Sequence, residues 1–287
     1  MVDTPTQPPP PARREPTLTR RTLVAGGCTL AAGAVAGAAY SQVPPGVLIR
    51  LGLADRPDFF VPAAPEGRVR LETVTSVARG RDVQLFTAVP QGFGDGAGLP
   101  VLVVLHGATA RATDYRAFGF GRFLTAAVRR GAAPFVVAGA DGGPHFWAPD
   151  PATGDDPQRM LLEELPTWLD DRGFDGDRRA LWGWSMGGYG SLRAAQVQPG
   201  WARAVAAFSP AVAPGDDVFA DVDALTATPL GIWCGTDDPF YDATRALVAT
   251  LPRPPAVAEF SAGAHTRVYW SDHTLRAFAF VAEHLSG

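Results

Sequence analysis

Ser185 stands in the run Gly183-Trp184-Ser185-Met186-Gly187. A serine framed by glycines at this spacing suits a sharp strand-to-helix turn that lifts a hydroxyl to the edge of a sheet. The glycines answer a steric demand, because strand and helix approach closely on either side of the turn. A hydroxyl is a weak nucleophile at neutral pH and needs a base, which an imidazole oriented by a carboxylate supplies. Of the five histidines, His265 is the best placed, in Ser261-Ala262-Gly263-Ala264-His265 just past the last strand expected in the chain. His273 is the second choice, and lies with His284 in a stretch of helical spacing. The acid should come between serine and histidine, after a strand, and Gly235-Thr236-Asp237-Asp238-Pro239 offers two. Asp238, three past the glycine, is favoured, whereas Asp237 suits a helix cap or open solvent. The chemistry of such a set is attack on a carbonyl carbon, with a transient negative charge on its oxygen.

That charge calls for preorganised N–H donors, each of which contributes about 3 kcal/mol. The Met186 N–H is one donor by position. The Ala108 N–H, in His106-Gly107-Ala108 after an apolar run, is the expected partner. His106 itself, placed before a glycine, suits a hydrogen-bonded turn that shapes this loop. Asp141-Gly142-Gly143 leads into His145-Phe146-Trp147, so His145, Trp147, His106 and Trp270 are the candidates for a substrate pocket wall. Ordinary packing is the competing reading for the aromatics.

These groups need a scaffold whose strand ends converge. Residues 71–77 and 83–89 flank the charged turn Arg79-Gly80-Arg81-Asp82 and read as an antiparallel hairpin. Continuous apolar runs at 101–105 and 135–138 have the pattern of parallel strands covered on both faces, and helical spacing fills 115–130 between them. A helix over 160–170, a strand at 179–182, the serine turn and its helix follow. Further strands are expected at 204–208, 230–234 and 257–260, with helices at 243–251 and 275–285. The spacing therefore predicts a doubly wound, mostly parallel eight-stranded α/β sheet opened by an antiparallel hairpin, with ligands at the carboxyl ends of the strands. The segment 210–229 is too short for a large lid, so an open cleft is expected.

The chain has 287 residues and a formal net charge of −4. Its arginines are scattered, which argues against nucleic acid as a partner. Two cysteines, Cys28 and Cys234, lie far apart in regions of different character and give no disulfide framework. No metal-ligand spacing, phosphate loop or dinucleotide fingerprint is present, so neither metal nor cofactor is expected.

Residues 1–39 read as a proline-rich disordered tail plus an export signal. Arg20 and Arg21 precede an uncharged Ala, Gly, Val and Leu run that ends in the small-residue cleavage pattern Ala36-Gly37-Ala38. This resembles a twin-arginine signal and implies a passage through the twin-arginine machinery to a secreted or envelope-associated location. An uncleaved signal would tether the domain to the membrane, and a lipid anchor at Cys28 is disfavoured by its poor flanking residues. Residues 40–68 read as a proline-rich linker and 69–287 as the catalytic domain.

His106-Gly107, Asp141-Gly142-Gly143, the run from Gly183 to Gly190 and Gly263-Ala264-His265 with Trp270 resemble the esterase D family of serine α/β hydrolases, in the correct order from about residue 70 onward. That family includes S-formylglutathione hydrolases, feruloyl and acyl esterases, and mycolyltransferases. The resemblance implies an α/β-hydrolase fold and an acyl-enzyme mechanism on small-molecule or cell-envelope esters, with Ser185, Asp238 and His265 in the triad positions. Two departures stand out. Arg267 occupies a position where an aromatic residue is common, and an aspartate stands where the mycolyltransferases use glutamate. The expectation is an exported serine esterase. The alternatives are an acyltransferase that uses a sugar or lipid alcohol, and a catalytically silent wall-binding protein.

Overall fold

The computed structural model describes residues 59–287; the arginine pair Arg20 and Arg21, Cys28 and residues 40–58 lie outside the described residues. The hairpin strands are β1 (Arg68–Ser76) and β2 (Arg81–Val89), and they pair antiparallel with Arg68 opposite Val89. Six further strands complete one sheet: β3 (Pro100–Leu105), β4 (Val136–Ala140), β5 (Asp175–Trp184), β6 (Val205–Phe208), β7 (Leu230–Gly235) and β8 (Val257–Ser261). Their order is β1-β2-β4-β3-β5-β6-β7-β8, with β2 antiparallel to β4 and all later pairs parallel. Every residue of β3, β4, β6 and β7 is buried, which is why these strands read as unbroken apolar runs.

Helices cover both faces. On one lie α1 (Asp114–Phe118), α2 (Phe120–Arg129) and the carboxyl-terminal α8 (Arg267–Leu285), whose Phe118, Phe120, Phe123 and Phe278 pack with Trp182 and Phe208 of the sheet. On the other lie α3 (Pro157–Arg159), a π-helical turn (Met160–Glu164), α4 (Leu165–Asp170), α5 (Met186–Val197) and α7 (Tyr241–Thr250). Between β6 and β7, α6 (Asp217–Ala220) and a 3-10 turn (Asp223–Ala227) are held against α5, where the Gln196 amide donates to the carbonyls of Val218 and Asp221. This segment is therefore fastened to the body of the domain. Among the described residues no helix is long and apolar enough to cross a membrane.

Four expectations change in detail. The single helix expected over 115–130 is broken at Gly119, whose φ of 94° turns the chain so that α1 and α2 meet at an angle. The helix expected over 160–170 starts earlier and contains a wide turn in which the Leu165 N–H bonds Met160 O. Pro166 explains the widening, because it lacks an N–H and its ring crowds the preceding turn. The last helix begins at Arg267, eight residues before the expected start, since the polar run Ser271-Asp272-His273-Thr274 masks its periodicity. The end of the expected linker 40–68 lies on the domain: Phe60 packs edge-on against Phe123 at 5.9 Å and Glu66 pairs with Arg116 at 2.9 Å.

Candidate active site

Strand order reverses around β3 and β5, and their carboxyl ends open a crevice of the kind where open α/β sheets bind ligands. Ser185 sits there, between β5 and α5, with φ 57° and ψ −122°. An L-residue in this region carries strain on the order of 1–3 kcal/mol unless its surroundings hold it. Three main-chain bonds do so: its N–H donates to Phe208 O at 2.9 Å, and its carbonyl accepts from Tyr189 at 3.1 Å and Ala211 at 3.0 Å. A Cβ on Gly187 would lie 1.9 Å from Leu105 O, and one on Gly183 would lie 2.2 Å from Gly187 O. The glycines thus exist for close approach between β3, β5 and α5.

The structure brings Ser185, His265 and Asp238 together. His265 Nε2 lies 2.9 Å from Ser185 Oγ, and His265 Nδ1 lies 2.9 Å from Asp238 Oδ2. With Nδ1–H donated to the carboxylate, Nε2 faces the hydroxyl with its lone pair. The Asp238 side chain is fully buried while that of His265 is 24% exposed. Asp238 Oδ1 also accepts the Phe240 N–H at 2.9 Å. The imidazole is flanked by Phe240 and Trp270, with ring centroids 5.2 and 5.1 Å away. His273 lies elsewhere, with Nδ1 3.3 Å from Glu259 and Nε2 3.5 Å from Ser261 Oγ.

The loop after β3 runs beside the serine, since a Cβ on Gly107 would lie 3.4 Å from Ser185 Cβ. His106 is buried beneath it. Its Nδ1–H donates to Gly107 O at 2.8 Å and its Nε2 accepts the Gly142 N–H at 2.9 Å. Asp141 accepts the Ala112 N–H at 2.8 Å, and Trp147 Nε1–H donates to His106 O at 3.2 Å. Burial pushes the His106 imidazole below its ordinary pKa, against the Gly107 carbonyl bond that raises it. The neutral ring is the form that accepts from Gly142. Among the described residues, neither the Ala108 nor the Met186 N–H donates to a main-chain acceptor. Met186 opens α5, so its N–H sits in the positive end of a twelve-residue helix.

The expected pocket wall takes a different form. His106 and Trp147 are 1% and 2% exposed, their polar atoms bonded within the loop packing, so they support the crevice from below. The Trp147 ring fills the space beside Gly142 and Gly190, where no Cβ would fit. The His145 side chain is 48% exposed, 4.0 Å from Asp150. Trp270 touches His265, yet its Nε1–H donates inward to Ser209 Oγ at 3.0 Å.

Several supporting residues carried no signal in the sequence. Arg79, in what reads as a solvated hairpin turn, is buried and grips Asp155 through Nε and Nη2, and Nη1 reaches the Asp141 carbonyl. The hydrogen bonds from Arg79 to its carboxylate hold Asp155 below the usual range, in spite of burial. Ser209 is fully buried with φ 44°. Cys234, next to this layer, is a buried thiol that desolvation pushes up to about 12, which removes thiolate chemistry at neutral pH. Among the described residues no group of His, Cys, Asp and Glu could hold a metal ion.

Residues 76–256, more than half of the chain, match the model of the family described as "Putative esterase". No curated protein matches the chain by sequence. Among solved structures, a ferulic acid esterase is similar with 21% identity and a TM-score of 0.65 over 76% of this chain and 98% of its own. An S-formylglutathione hydrolase from Agrobacterium tumefaciens is similar with 19% identity and a TM-score of 0.63 over 78% and 98%. MPT51 of Mycobacterium tuberculosis is similar with 16% identity and a TM-score of 0.58 over 78% and 100%. At such identities the likeness is one of fold. The family match and this site geometry together make the chain a member of that esterase family, an ester-hydrolysing enzyme with the α/β-hydrolase fold.

Proposed function

We propose that the protein is an exported serine esterase that works through an acyl-enzyme. The supporting observation is the continuous path from Ser185 Oγ through His265 to Asp238, at 2.9 Å in both steps. Ser185 Oγ attacks the ester carbonyl while its proton passes to His265 Nε2, and the N–H groups of Met186 and Ala108 receive the oxyanion. The carbon–oxygen bond to the alcohol then breaks, and the imidazolium gives its proton to the leaving oxygen. Water attacks the acyl-enzyme in turn: its proton goes to Nε2, the acid departs, and the proton returns to Ser185 Oγ. Asp238 orients the imidazole and stabilises its charged form without taking the proton. Export rests on Arg20, Arg21 and the uncharged run that follows them.

Hydrolysis of a chain-length series of aryl esters by the protein and by Ser185→Ala, together with labelling by a fluorophosphonate, tests the mechanism. Loss of at least about 10³-fold in kcat and loss of the label in the variant are expected. A wild-type protein that is folded but unlabelled would instead support a silent wall-binding role. Product analysis with an added alcohol decides between water and an alcohol as acceptor, and transfer well in excess of hydrolysis would favour the acyltransferase. Replacing Arg20 and Arg21 by lysine should abolish appearance of the enzyme outside the cytoplasm.

A further inference from the structure

Ser209 is the residue that joins the two halves of the site. It follows Phe208, whose carbonyl accepts the Ser185 N–H at 2.9 Å, and it precedes by two residues Ala211, whose N–H donates to Ser185 O at 3.0 Å. Its own N–H is fixed to Trp233 O at 2.7 Å. Its φ of 44° is unfavourable for a serine, and the consequence of that twist is a hydroxyl that receives the Trp270 Nε1–H at 3.0 Å with no exposure to solvent. Trp270 belongs to the first turn of α8, and its ring stands perpendicular to the His265 imidazole, 88° between planes and 5.1 Å between centroids. The chain from Ser185 to Phe208 and Ala211, through Ser209, to Trp270 and His265 is thus continuous.

We infer that Ser209 and Trp270 form a brace that sets the position of His265 relative to Ser185, and that both are positioning residues for ester hydrolysis. The loop 262–266 is the element that needs such a support. It is exposed at Ala262 and Thr266 and bends at Gly263, where φ is 149°. Phe240 bounds the imidazole from the acid's loop and Trp270 from α8, so removal of one support leaves that side of the ring unpacked, and the bond to Asp238 alone must set its tilt toward Ser185. A displacement of about 1 Å between reacting groups costs on the order of 10²-fold in rate. The inference rests on His265 acting as the base, and the experiment separates the two.

The variants are Ser209→Gly, Trp270→Phe, their combination and His265→Ala, assayed on an aryl acetate with active sites counted by fluorophosphonate titration. Glycine removes the hydroxyl and relieves the positive φ, so Ser209→Gly should fold with a Tm at or above that of a Ser209→Ala control. Its kcat should fall about tenfold with KM within about twofold. Trp270→Phe keeps a ring beside His265 but donates nothing, and should lose a similar factor. The double variant should lose no more than the worse single one, because both remove one shared bond. A kcat within about twofold of wild type in both single variants, or losses that multiply, would overturn the brace. If His265→Ala keeps its activity, the assignment of the base fails instead.

Discussion

Asp237 and Asp238 are neighbours in the chain with opposite surroundings: Asp238 is 5% exposed and bonds His265 Nδ1, whereas the Asp237 side chain faces solvent. The Asp237 main chain is what matters at that position, since its N–H donates to Gly263 O at 2.8 Å and joins the acid's loop to the base's loop.

Substitution separates the two. Asp238→Asn keeps the shape but lets the amide favour the wrong imidazole tautomer, so kcat should fall by about 10³–10⁴-fold. Asp237→Asn leaves the main-chain bond intact and should change kcat by less than about threefold. A steady-state assay of both variants on one aryl ester checks this, and equal losses would reject the choice of Asp238.

Gly187→Ala tests the steric reading of the serine turn. Its Cβ would meet the Leu105 carbonyl at 1.9 Å, against a fully buried strand that cannot retreat. Destabilisation of about 3 kcal/mol is expected, with loss of activity in the fraction that remains folded. Urea unfolding of the variant measures it, and an unchanged midpoint would mean that α5 shifts freely over β3.

The residues that carry chemistry were legible in the sequence because each is announced locally: glycines around Ser185, an apolar run before His106, a strand before Asp238, and a short loop before His265. Four of the strands, β3, β4, β6 and β7, were legible for a related reason, since two-sided burial forces unbroken apolar runs, whereas the hairpin strands β1 and β2 were legible from the charged turn between them. What escaped was long-range and polar. Arg79 reads as a solvated turn residue, and only the folded chain shows Asp155, 76 positions later, arriving to bury it. Ser209 gives no sign of its twist, because a positive φ at a non-glycine residue is set by tertiary contacts. Trp147 and His106 have the residue types of a pocket wall, yet the glycines opposite them, Gly142 and Gly190, draw the indole inward.

The Arg79 and Asp155 pair should matter more for stability than for chemistry. Arg79→Met leaves the Asp155 carboxylate buried with only the exposed Arg81, 2.9 Å away, for compensation, so a loss of about 3 kcal/mol is expected. Adding Asp155→Asn removes the unpaired charge and should recover part of that loss. Denaturant titrations of the single and double variants measure the recovery, and a double variant less stable than Arg79→Met would contradict the account.

Acid should weaken the protein through His106. Burial holds its folded pKa below the ordinary 6.5, so between 6.5 and that lower value the unfolded chain binds a proton that the native chain does not. Stability then rises with pH across this window and falls as pH drops below about 6.5. Protonation also converts Nε2 from acceptor to donor, which breaks its bond with the Gly142 N–H and loosens the loop that carries Ala108. His106→Asn cannot titrate there. Its Tm should therefore decline less than that of the wild type between about pH 7.5 and about pH 5, even if it starts lower. His273, likewise depressed by burial, titrates in both proteins and cancels in the comparison. Parallel declines in the two proteins would place the acid sensitivity outside the loop after β3.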